Sequence, residues 1–193
     1  MGKRILVING HPDPRPERFC AALADAYATA AQKAGHEVRR IAVGALDFAV
    51  LRDPKDFLDP PKSAAIRAAQ ADISWAEHLV FVHPLWLGAA PALLKGFMEQ
   101  IACGGFGFVG GGAGNPQRGL TGKSARLIVT MGMPATAFRL VFGGFGIRAF
   151  ARGILRISGV WPVRKTYLGA VELSDRHRAN GLAEVAALGQ KGI

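Results

Sequence analysis

Acidic side chains are scarce in this sequence: 14 Asp and Glu stand against 24 Lys and Arg, giving a formal net charge of +10. That imbalance points to an anionic partner or to a basic solvated surface. On charge alone the partner is open between nucleic acid, an acidic membrane and a phosphate-bearing small molecule. Cysteine is nearly absent. Cys20 and Cys103 have neither CxxC nor zinc-type spacing, which excludes a disulfide framework and predicts two free thiols in a reducing, cytoplasmic setting. Long apolar runs are missing too. The N-terminal run, residues 5–8, is too short for a signal-peptide core, and the other apolar stretches are broken by His83 and Pro84 or by Arg139, so no membrane span is expected.

What is present describes a folded chain. Hydrophobic residues make up 50% and charged residues 20%, which excludes disorder, and 193 residues are enough for one domain, 1–193, with a full core. Glycine, at 25 residues, is nearly twice the usual share of about 7%, but without the three-residue period of collagen.

Short buried runs alternate with helical patterns. Strands are predicted at 5–8, 37–43, 79–82 (ended by His83-Pro84), 125–130 and 163–168. Helices are predicted at 19–34, at 63–76 with Ser63 as N-cap, from Pro91 to 102, at 149–157 and at 174–188; residues 46–61 and 104–119 read as loops. Strand–helix alternation with continuous apolar strands predicts an α/β fold: a doubly wound, five-stranded parallel sheet of the flavodoxin type, order 2-1-3-4-5. In such a sheet ligands bind beyond the carboxyl ends of the strands, near the switch point between strands 1 and 3.

Three glycine motifs imitate phosphate sites. Gly122-Lys123-Ser124 resembles the end of a P-loop, but the required upstream glycine is Gln117 and a strand follows. Gly105 to Gly110 matches GxGxxG but follows a helix and reads as a loop. Gly144 to Ala149 matches GxGxxA without an acidic residue about 20 positions on, which argues against a dinucleotide site. Arg148, Arg152 and Arg156 share one helical face, and residues 139–178 carry eight Lys/Arg against Glu172 and Asp175. That face is either solvated or a contact for a phosphate or partner.

Chemistry is expected in the loops after strands 1, 3 and 4. The segment from His11 through Asp13, Arg15 and Arg18 to Phe19 joins a strand to a helix N-terminus, where free N–H groups and two arginines suit a phosphate. Pro84-Leu85-Trp86-Leu87-Gly88 is unusually apolar for a loop, so Trp86 reads equally as a ring-pocket wall or as core or interface packing. Thr130-Met131-Gly132-Met133-Pro134 offers backbone N–H groups and the Thr130 hydroxyl to the polar edge of a ring system.

These residues carry a resemblance. Ile8-Asn9-Gly10-His11-Pro12-Asp13-Pro14 resembles the first flavin loop of the NAD(P)H:quinone oxidoreductases with a flavodoxin-like fold. The stretch from Pro84 through Pro91-Ala92-Leu93-Leu94-Lys95-Gly96 to Glu99 is similar to that family's second signature, and Thr130 to Pro134 to its third loop. The resemblance runs from about Arg4 to Gly169. It implies FAD, with FMN as alternative, NAD(P)H as donor, a quinone-like acceptor, and a homodimer with its sites at the interface. By position it implies that His11, Arg18, Phe19 and Cys20 border the flavin phosphate and ribityl chain, that Pro84, Leu85, Trp86, Leu87 and Gly88 line the ring, and that Thr130, Met131, Gly132, Met133 and Pro134 face its pyrimidine edge. Glu99 matches an acidic position that reaches toward the adenosine of FAD. The first loop is two residues longer than usual, and Arg18 replaces a small hydroxyl residue. Phe138 and Phe145 stand where the family often has a Tyr and a His that assist hydride transfer.

A flavin-dependent oxidoreductase is therefore the leading reading. A flavin-binding regulatory or partner subunit with little turnover, like the accessory reductases of potassium efflux systems, comes second. A nucleic-acid binder comes last, because few aromatics interleave the basic residues.

Overall fold

A computed structural model describes residues 2–109 and 117–193. Five strands form one parallel sheet: β1 (Arg4–Asn9), β2 (Glu37–Ala42), β3 (His78–Pro84), β4 (Ser124–Thr130) and β5 (Val163–Leu168), in the order β2-β1-β3-β4-β5. This is the predicted doubly wound topology, and its register is continuous, with Asn9 opposite Val82 and Pro84 opposite Thr130. The strand residues alternate between two cores. Leu6, Ile8, Leu79, Phe81, Leu127 and Val129 pack on one side under α3 (Ala64–Trp75) and α4 (Ala92–Ala102). Ile5, Val7, Val80, Val82 and Ile128 pack on the other under α1 (Phe19–Lys33) and α7 (Asp175–Lys191). The edge strand β2 is blunted by Arg39 and Arg40, which pair with Asp72 and Asp25.

Several boundaries differ from expectation, each for a local reason. β3 does not stop before His83-Pro84 but runs through both, since Pro84 is the last strand residue and its missing N–H is needed by no neighbour. The stretch 46–61 contains a short helix, α2 (Pro54–Leu58), started by the Asp53 carboxylate accepting from the Lys55 and Asp56 amides. Ser63 precedes α3 but does not cap it; its hydroxyl donates to the Asp47 carbonyl. A helix, α5 (Ala135–Leu140), follows the third loop. The predicted helix 149–157 begins earlier, as α6 (Phe145–Phe150), and continues as a wide π-turn over Ala151–Arg156.

Within 104–119, Phe108–Val109 pairs antiparallel with Gln117–Arg118; the end of the Gly105 to Gly110 motif lies outside the described residues. α1 ends where Gly35 takes a positive φ of +85°, and α7 begins with Ser174 accepting from the His177 amide. Among the described residues no helix is long and apolar enough to cross a membrane.

Candidate functional site

The carboxyl ends of β1, β3 and β4 lie side by side, so their loops meet at one edge of the sheet. Hydrogen bonds knit the exits together. The Gly10 amide donates to the Val82 carbonyl (2.8 Å), Leu85 to Thr130 (2.7 Å) and Met131 to Leu168 (2.9 Å). The His11 ring meets Trp86 edge-on, with centroids 5.8 Å apart, joining the first loop to the second.

In the first loop the buried Asn9 side chain accepts from the His11 amide. His11 Nδ1 lies 3.0 Å from both the amide nitrogen and the carbonyl oxygen of Asp13, so Asp13 fixes the ring and Nε2 is the nitrogen left to face a ligand. Burial holds this imidazole below its ordinary pKa, against the opposing pull of Asp13. The two arginines are not the free phosphate ligands expected. Arg15 pairs with Asp13 through Nη2 (2.6 Å), and Arg18 pairs with the same carboxylate at 2.5 Å. Hydrogen bonds from Arg15 and Arg18 keep the Asp13 carboxyl well below the usual carboxylate range. With Asp13 and Glu17 against Arg15 and Arg18, the loop carries no net charge, where two free cations were expected. Cys20 is also not a lining residue: it is buried, its Sγ lies 3.5 Å from Thr130 Oγ1, and burial pushes its thiol up to about 11.

The second loop is a tight hairpin. Trp86 and Ala89 exchange both backbone hydrogen bonds, at 3.0 Å each, and between them Leu87 and Gly88 have φ of +48° and +78°. Trp86 stays 50% exposed, and Leu87 stands fully in solvent. Trp86 is thus on the surface and not in the core. Leu85 is partly buried and packs against the core.

In the third loop the Thr130 hydroxyl is occupied by Cys20, and Met131 is a buried core residue whose amide is used by Leu168. The expected donors narrow to Gly132 and Met133, whose amides meet no acceptor among the described residues. Met133 and Met131 instead use their carbonyls to accept from Ala170 and Val171. Phe19 and Pro134 line a different cleft, about 390 Å³ in volume, shared with Tyr167, Gly169 and His177. Glu99 lies apart as well. It is seven residues down α4 from Ala92, about 10 Å along the axis, and is ion-paired with Lys95. Phe138 is buried edge-on to Tyr167, while Phe145 is exposed.

Three glycines that the sequence did not single out for this purpose back the three loops. A Cβ on Gly44 would lie 2.3 Å from the Pro12 carbonyl oxygen, one on Gly146 2.2 Å from that of Gly88, and one on Gly169 2.3 Å from the Ala135 amide nitrogen. None has a positive φ, so each is glycine for close approach and not for backbone freedom. Gly146 belongs to the GxGxxA motif, which follows α5 and its turn instead of a strand; its glycine seats α6 against the hairpin. Lys123 of the P-loop mimic ties the carbonyls of Ser74 and Ala76.

Two buried histidines support β3. His83 donates from Nδ1 to the Pro84 carbonyl, His78 Nδ1 faces Ser124 Oγ at 2.8 Å, and both Nε2 atoms are without a partner among the described residues. Burial lowers His83 to about 4 and His78 to about 3. Between these values and the ordinary 6.5 the unfolded chain binds protons that the folded chain does not, so stability is full above about pH 6.5 and falls as pH drops toward 4. At pH 5 the loss is expected to be about 2 kcal/mol per histidine. Urea unfolding from pH 7 to 5 checks this, and His83→Leu should remove about half of the pH dependence; an unchanged profile refutes the assignment.

The comparisons agree with the topology. The flavodoxin-like fold family model matches residues 3–190. The chain is 29% identical over 155 residues to the ribosyldihydronicotinamide dehydrogenase-like protein traD of Penicillium crustosum, covering 67% of this chain and 57% of that one. It is 35% identical over 86 residues to the glutathione-regulated potassium-efflux system ancillary protein KefG of Escherichia coli, covering 45% and 41%. The matches therefore span about half the length of these curated relatives. Among solved structures, NAD(P)H:quinone oxidoreductase from Methanothermobacter marburgensis superposes with a TM-score of 0.82 at 18% identity, over 98% of this chain and 96% of that chain, a likeness of fold. With its sheet order, its three loops and a family match over nearly its whole length, the chain belongs to the flavodoxin-like fold family.

Proposed function

We propose that this chain is a flavin-dependent NAD(P)H oxidoreductase acting on a quinone-like acceptor. The carrying observation is one sheet edge that combines an exposed apolar rim, Trp86 and Leu87, with the unengaged amides of Gly132 and Met133. That donor set fits a planar, largely apolar ring with one hydrogen-bonding edge. When bound, a flavin supplies the hydride and electron chemistry. The protein's part is to position and to exclude water: Trp86 and Leu87 cover the ring, the Gly132 and Met133 amides hold its polar edge and stabilise charge there, and His11 Nε2 donates or accepts beside the hairpin.

FMN is favoured over FAD, because the Glu99 carboxylate, the acidic group expected to reach an adenosine, is engaged by Lys95. Neither Phe138 nor Phe145 can donate a proton, so developing charge is left to the two amides and His11, and slow turnover is expected. A second copy of the chain fits the exposed apolar run of Leu140, Val141, Phe142 and Phe145, which adjoins the hairpin through Gly146.

The test is titration of flavin-free protein with FMN and with FAD, followed by NADH or NADPH oxidation with a simple quinone. Uptake of FMN at micromolar concentration with quinone-dependent oxidation is expected; no flavin uptake in that range overturns the reading. The likeness to the potassium-efflux ancillary protein and the two phenylalanines favour one alternative, a flavin-binding partner subunit. Bound flavin with negligible turnover on every acceptor would select it.

A further inference from the structure

Beside the loops, on the outer edge of the sheet, a cavity of about 320 Å³ is lined by Arg139, Gly143, Gly144, Arg148, Lys165 and Tyr167. Three elements converge to make it. Arg139 lies in the last turn of α5 and Arg148 in α6, while Lys165 and Tyr167, two residues apart on β5, point to the same face of the sheet. Gly143 and Gly144, with φ of +62° and +61°, turn the chain between the helices and leave that wall without side chains.

Among the described residues none of the three cations forms an ion pair. Asp175, one of the two acids within 139–178, is already paired with Arg178. Three like charges line one cavity, and Lys165 registers its cationic neighbours. Lys165 is pushed below its ordinary value by burial and then by Arg148, Arg152 and Arg156. Burial raises the Tyr167 hydroxyl, and Arg139 and Arg148 pull it back. Three exposed cations without an acidic partner among the described residues converge here, an arrangement favourable around a small anion.

The basic stripe read from the sequence is thereby divided. Arg148 enters the cavity, whereas Arg156 stacks over Trp161 at 4.5 Å, and Arg152 is not in the lining. A walled cavity backed by glycine suits a compact anion better than a polymer backbone, which wants an open stripe.

We propose that this cavity is a binding site for a phosphate monoester dianion, held by Arg139, Arg148 and Lys165 with the Tyr167 hydroxyl as neutral donor. Two sources share this chemistry: the extra phosphate of an NADPH donor, which rests on the oxidoreductase reading above, and a free phosphate or phosphate ester, which does not. Gly146 seats α6 directly on the ring-covering hairpin, so the cavity and the proposed redox site share one wall.

The test is calorimetric titration of the flavin-free protein, at low ionic strength, with 2′-AMP, inorganic phosphate and adenosine. Binding of 2′-AMP but not of adenosine is expected, with loss of about tenfold or more in an Arg139→Gln, Arg148→Gln, Lys165→Met triple variant and a smaller loss in Tyr167→Phe. The single Lys165→Met variant serves if the triple variant melts early. No binding of 2′-AMP or phosphate at millimolar concentration, or equal binding by the folded variants, overturns the proposal. Either source supports it. With an NADPH phosphate, 2′-AMP binds tighter than phosphate, and the variants weaken NADPH while sparing NADH. With a free phosphate, the two anions bind alike and the nucleotides are unaffected. Because the titration needs no flavin, phosphate binding without flavin uptake would sustain this site while sinking the redox reading.

Discussion

A Gly146→Ala variant is expected to lose flavin affinity by about ten- to a hundredfold while remaining folded. Its new Cβ would stand 2.2 Å from the Gly88 carbonyl oxygen and 2.8 Å from the Ala89 Cα, both backbone atoms, so relief requires α6 or the hairpin to move. Overpacking of this kind costs about 1–3 kcal/mol. The hairpin yields first, because it is held by the two Trp86–Ala89 bonds, whereas α6 is anchored by buried Ile147 and Phe150. The displacement moves Trp86 and Leu87 away from the ring they are proposed to cover. Quenching of flavin fluorescence on titration measures the loss, and thermal melting shows whether the fold has survived. Wild-type affinity in the folded variant would remove the hairpin from the binding site.

Gly189→Ala acts far from the loops and on stability instead. Gly189 lies on α7 where a Cβ would meet the Tyr27 carbonyl oxygen at 2.3 Å and its Cα at 3.1 Å. Tyr27 is wholly buried on α1, and its hydroxyl donates to the Ile193 carbonyl. Neither helix can slide without disturbing the core over Ile5, Val7 and Val80. The expected cost is about 3 kcal/mol of unfolding free energy, a large share of a typical domain's stability. Gly153→Ala is the control. It lies in the helical stretch after α6 with open space around it, and a gain of about 0.5–1 kcal/mol is expected. Chemical denaturation of the pair measures both effects, and equal effects would refute the close-approach argument.

The strands were legible because their signal is local and redundant. Residues 5–8, 79–82 and 127–129 are apolar runs that only a sheet covered on both faces buries. The positions of the three loops followed from the topology. Their inner wiring did not, because it depends on partners distant in sequence. Cys20 and Thr130 are 110 residues apart, and nothing local says that they occupy each other. The neutralisation of Arg15 and Arg18 was closer to view, since Asp13 lies two and five residues away, but charge counting treats neighbours as independent. α5 is hidden because six residues are too few to show a helical period, and α2 because the scattered Pro and Asp of 46–61 read as a loop, although Asp53-Pro54 is a cap followed by a first-turn proline. The glycines at 44, 146 and 169 look like any others in a glycine-rich chain; only the approach of a second backbone distinguishes them.

Leu87 has a wider meaning. A leucine in the left-handed region costs about 1 kcal/mol relative to a relaxed backbone, and its bare side chain forgoes roughly 2 kcal/mol of burial. Selection for a durable fold alone would replace it with glycine or asparagine, which accept that geometry freely. If Leu87 covers the ring as proposed, durability and activity pull in opposite directions there, and thermostability screens are expected to return substitutions at 87 that harden the protein and weaken flavin binding.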